Sequence, residues 1–191
     1  MAGHRILGLA SSLVFLVPAV AAAQEDMSAE MEPQRAMYEL PALTIVAPGE
    51  SPLDQQAAEL YEAGNWADAA QLYYDAAEGM PRNDADSYRA YDMAGRLYFY
   101  SRDYGNARRS MERAAEVAEA TGDIVSAALR HVDAAFIAVW EGYPASRRDH
   151  VARAKEHAAK SEFGEKDAKK LDALIQGVEA LPVSEQDADE Q

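Results

Sequence analysis

Cysteine is absent from the 191-residue chain, and with it go disulfides, thiolate metal sites, a cysteine nucleophile and a lipid-modified cysteine at an export cleavage site. No Asn-x-Ser/Thr glycan acceptor is present either. Together these absences favour a bacterial envelope over a eukaryotic secretory route, and they leave packing alone to stabilise an exported domain. Histidine is scarce: beyond His4 there are only His131, His150 and His157. No serine lies in a Gly-x-Ser-x-Gly elbow, and no glycine loop has phosphate-binding spacing. The expectation is a chain that is not an enzyme. Basic residues number 18 against 33 acidic ones, a formal net charge of -15. Such a surface repels nucleic acid and anionic lipid at long range, and favours solubility or a basic partner. Beyond the first two dozen residues no apolar stretch approaches the ~20 residues that span a bilayer, so no stable membrane insertion is expected.

What is present begins with a three-part pattern. Met1 to Arg5 is basic, Ile6 to Val17 is apolar, and small residues stand at Ala21 and Ala23 before Gln24-Glu25-Asp26. This is the layout of a secretory signal peptide with cleavage near Ala23. An uncleaved anchor is the rival, but the run is short and broken by Pro18. The expected location is therefore the periplasm, or outside the cell.

Residues 24–50 hold Pro33, Pro41, Pro48 and one apolar island, Leu40 to Val46. No helical period survives there, which predicts an extended arm. From Ser51 the composition turns to Ala, Glu, Asp, Arg, Leu and Tyr with apolar residues at helical spacing. Ser51 reads as an N-cap, with Pro52 at the first helical position and Asp54 in the first turn. Breaks near Gly64-Asn65, Pro81 to Asp84, Asp103-Tyr104, Gly122, Gly142 to Pro144 and Gly164 divide residues 51–181 into about seven helices. An acidic tail over 182–191 follows.

These helices resemble one another at a fixed period. One unit carries Ala57, Gly64, Trp66, Ala69, Tyr73, Ala76 and Pro81; the next carries Gly95, Tyr104, Ala107, Met111 and Ala114. Small residues let two helices of a hairpin approach, and a large one fills the gap beside their crossing. In this order the units resemble the tetratricopeptide repeat, an exported bacterial version of it. The second unit departs at Arg102, which stands in a glycine slot, and at Glu119, where proline is expected. A third, through Ala135, Gly142, Val151 and Ala154, departs at Pro144 and Arg147. Ala69 to Ala107 spans 38 residues and Ala107 to Arg147 spans 40, against ~34 for the family. The surplus predicts longer first helices in the second and third units. The resemblance implies an all-α fold: a short right-handed superhelix of about three helical hairpins, closed by a capping helix over Glu165 to Ala180. Its buried face would carry Ala168, Leu171, Leu174, Ile175 and Val178.

The same resemblance implies a concave groove lined by the first helix of each hairpin. It would offer Tyr61 with Asp54, Ala58 and Glu62 from the first unit, then Arg89, Asp92, Arg96, Phe99 and Tyr100, then Val132, Phe136, Val139 and Trp140. The implied function is a non-catalytic scaffold or adaptor that holds a protein or peptide. Phe136 and Trp140 would be anchors, and Arg89 or Arg96 would hold a carboxylate. Two alternatives stand beside it. Phe136 and Trp140 pack against the fourth hairpin while Asp92 and Arg96 pair along their own helix, or the aromatic end buries itself against a second copy in a self-associating envelope component.

No cofactor or metal site is expected from the histidines. His150 and His157 are seven residues apart on one helix face, about two turns along the axis, and reach one ion only with a third ligand between them; they read as solvent-exposed. His131 faces a neighbouring helix and reads as packed and hydrogen-bonded.

Overall fold

The computed structural model describes residues 51–160 and 163–182. The expected signal segment, the arm over 24–50 and all of the acidic tail but Pro182 lie outside the described residues. Within them the chain forms helices and no strand. The helices are α1 (Pro52–Glu62), α2 (Trp66–Glu78), α3 (Ala85–Tyr100), α4 (Tyr104–Thr121), α5 (Ile124–Glu141), α6 (Pro144–Lys160) and α7 (Glu165–Ala180).

Most of their boundaries have a local cause. The Ser51 hydroxyl accepts from the backbone N–H of Asp54 at 3.1 Å, and Pro52, which has no N–H to leave unpaired, opens α1. Asp84, Asp103 and Asp123 cap α3, α4 and α5 through their carboxylates, each satisfying an N–H that has no partner inside its helix. Four helices end in one motif. The N–H of Asn65 donates to the Leu60 carbonyl at 2.8 Å and that of Gly64 to Tyr61 at 3.0 Å. The same pair of bonds recurs at Arg102-Asp103, Gly122-Asp123 and Gly142-Tyr143, the geometry of a helix closed by a left-handed residue. That residue is Gly64 (φ 79°), Arg102 (65°), Gly122 (79°) and Gly142 (72°). Arg102 therefore adopts the backbone that glycine supplies at the equivalent turns, although a side chain there is strained.

Helices in broad contact are neighbours in the chain, joined by α5 with α7, as in an array of stacked hairpins. The longer first helices expected of the later units are present: α3 has 16 residues and α5 has 18, against 11 in α1. Small residues carry the crossings. Ala69, Ala70, Ala94, Ala107, Ala114 and Ala115 are fully buried. At Gly95 the approach is so close that a Cβ would lie 2.9 Å from the Met111 Cε.

The apolar interior forms two clusters. One joins α1 to α4 with Ala134 and Ile137 of α5. The other joins Ala128, Val132, Ala135 and Phe136 of α5 to Val151 and Ala154 of α6 and to Leu171, Ile175 and Val178 of α7. Helix α7 thus closes the stack with its apolar face, while Lys169, Lys170 and Asp172 point to solvent.

Candidate functional site

Aromatic rings run along the edge of the array where first helices end and second helices begin. Tyr61, at the end of α1, stacks on Trp66 at the start of α2 with centroids 5.9 Å apart. Trp66 meets Tyr100 of α3 edge-on at 6.2 Å, and Tyr100 meets Phe99 at 6.0 Å. Phe99 touches Tyr104 of α4 at 5.6 Å, and Phe136 and Trp140 of α5 at 5.8 and 6.4 Å. Offset and edge contacts at these separations each add modest stability beyond burial. At the turn after α5, Tyr143 is 57% exposed, with the Arg108 guanidinium 5.9 Å from its ring centre.

The residues expected in the groove take different places. Tyr61, Phe99 and Trp140 are half-buried in this band, and Tyr100 is 39% exposed. Phe136 is only 3% exposed and belongs to the second core cluster, so it serves as core, because α7 closes over that face of α5. Arg89 donates to the Asp54 carboxylate at 3.0 Å. Arg96 is buried and donates to Asp92 at 3.0 Å. Both guanidiniums thus have carboxylates from the chain itself, so the carboxylate-holding role is not supported. Asp54, expected in the groove, is buried. Burial would raise its carboxyl, but hydrogen bonds from Tyr73, Ser51 and Arg89 outweigh that and hold it below the usual carboxylate range. Between α3 and α5, Arg130 bridges Asp92 and Asp133. Sequence reasoning missed Trp66 and Tyr104 as members of the aromatic band. Their place at the first positions after each turn is the signal that finds them.

The histidines are brought together on the opposite helices. Glu112 and Glu119 lie seven residues apart on α4, and His150 and His157 seven apart on α6. His150 Nε2 is 2.8 Å from Glu112 Oε1, and His157 Nε2 is 2.8 Å from Glu119 Oε1. Each pair is thirty-eight residues apart and joins the second helices of the second and third hairpins. His131 of α5 stands between the pairs, with Nδ1 3.3 Å from His150 Nδ1 and Nε2 3.2 Å from Glu119 Oε1. His131 is the packed, hydrogen-bonded residue expected. His150 is not solvent-exposed as expected but 7% exposed, since α4 and α5 cover its face of α6. Burial pushes the His131 ring down to about 4, against the opposing pull of Glu119, so at neutral pH it is uncharged. For Glu112 and Glu119 burial acts upward, but their histidine hydrogen bonds, with Arg108 at Glu112, leave both carboxyls below the ordinary value.

Comparison of the chain with protein-family models, curated proteins and solved structures gives no match. Among the described residues no helix is long and apolar enough to cross a membrane.

Proposed function

We propose that the chain is a non-catalytic, exported scaffold of tetratricopeptide type that holds a segment of a partner protein along its aromatic edge. The observation that carries this reading is the band from Tyr61 through Trp66, Tyr100, Phe99 and Tyr104 to Trp140, which crosses all three hairpins, with Tyr100 of the band and Tyr143 of the turn after α5 open to solvent. Rings held by neighbouring rings offer contact area at little cost in conformational entropy, as binding surfaces require. The chain carries a strong negative charge, so the partner segment is one with apolar or aromatic anchors beside basic residues.

The test is site-specific photocrosslinking in the producing cell. A crosslinking residue in place of Tyr100 or Tyr143 should trap the same discrete partner protein, and Tyr100→Ala with Tyr143→Ala should abolish its capture without loss of helicity. Trapping of that partner from Val125, away from the band, with none from Tyr100, would refute the reading.

A further inference from the structure

Glu119, His131 and His157 come from three helices, α4, α5 and α6, and one ligand atom of each lies within 4.8 Å of the others. Both imidazole Nε2 atoms face the same oxygen, Glu119 Oε1, at 3.2 and 2.8 Å. The two rings are within 4° of parallel, with centres 5.5 Å apart. Two imidazoles bound through Nε2 to one tetrahedral ion, with metal–nitrogen bonds of about 2.0 Å, have ring centres roughly 5 Å apart. The observed separation of the ring centres is close to that.

Hydrogen-bond bookkeeping points the same way. The series Glu112, His150, His131, Glu119 contains three close gaps. In one tautomer His131 donates through Nε2 to Glu119; with its ring proton on Nδ1, towards His150, the Nε2 lone pair instead faces Glu119 Oε1. A cation between that lone pair and the carboxylate would be coordinated by both. The same series supplies the outer partners of a metal-bound histidine, because His150, itself held by Glu112, fixes the His131 ring from behind. Glu119 lies at the surface, which gives an ion a path in and leaves room for water on the open side.

We propose that Glu119, His131 and His157 form a binding site for a divalent transition-metal ion of the zinc class, with solvent completing its coordination. Two imidazoles and a carboxylate are donors suited to that class and poor ones for calcium or magnesium, which take oxygen ligands. The site does not depend on the scaffold reading. Its consequence is mechanical: the ion ties the end of α4 to the third hairpin.

The untagged chain, stripped with chelator and titrated with zinc chloride in a calorimeter at pH 7.5, should take up one ion per chain with a rise in melting temperature. Cobalt(II) in its place should give the strong visible absorption of a tetrahedral site. Glu119→Gln and His157→Gln should each weaken zinc binding at least tenfold with the circular dichroism unchanged, and Asp68→Asn, a surface carboxylate elsewhere, should leave it unaltered. Absence of saturable zinc binding, or binding unchanged in both site variants, would overturn the proposal.

Discussion

At the scale of single residues, the chain places several charged groups indoors and satisfies them from a distance. Asp54 is the clearest case: it accepts from Ser51 on its own turn, from Tyr73 of α2 at 2.9 Å and from Arg89 of α3 at 3.0 Å, so one carboxylate fastens three helices. Because its folded value lies below the unfolded carboxylate value of about 3.9, the contribution is present above that pH and lost as pH falls through the folded value. Urea unfolding at a series of pH values should therefore show stability dropping below about pH 4. Asp54→Asn should cost about 1.5–3 kcal/mol at neutral pH and flatten that drop; an unchanged acid limb in the variant would show that the carboxylate is not held as described. Sequence alone suggested Asp54 as a first-turn acid, which it is. It did not reveal the other two donors, because Tyr73 and Arg89 lie 19 and 35 residues away and periodicity along one helix says nothing about which side chain arrives from the next. His150 was misplaced for the same reason, whereas the pairing of Arg96 with Asp92 lies along one helix and was among the readings the sequence offered.

At the scale of elements, the boundaries were readable because they are written in local chemistry. Glycine just past a helix end and a helical period on either side predict the turns at Gly64, Gly122 and Gly142. The equivalent turn at Arg102 was legible only from the spacing. A Cβ built at Gly64 or Gly142 meets nothing within 4 Å, so substitution there tests the backbone alone. Gly64→Ala and Gly142→Ala should each destabilise by about 1–2 kcal/mol, the penalty for a left-handed L-residue, read from the midpoint of urea unfolding. Variants as stable as the parent would mean these helices do not end in the left-handed motif. The lengthening of α3 and α5 was also legible, since the surplus residues before each are helix-compatible. The Glu112–His150 and Glu119–His157 pairings needed one more quantity, the lateral distance between α4 and α6, which appears only when the hairpins stack.

At the scale of the whole molecule, the scaffold reading and the self-associating alternative differ in how the aromatic edge is covered. The rings of the band already touch one another, and the closing face of α7 buries Leu171, Ile175 and Val178, so the stack has no bare apolar face at its α7 end. Sedimentation velocity over a hundredfold range of concentration should give one constant species with the mass of a monomer, and a mass that climbs with concentration would favour self-association.

Helix α5 supports this assembly from both sides, one flank belonging to the first apolar cluster and the other to the second. Between Ala127 and Ala138 every residue except Leu129 is buried. A helix enclosed in that way has no permissive positions: where α6 can exchange most of its outward residues freely, the middle of α5 must keep volume, polarity and pairing together. Variation tolerated elsewhere in the chain will stop abruptly there.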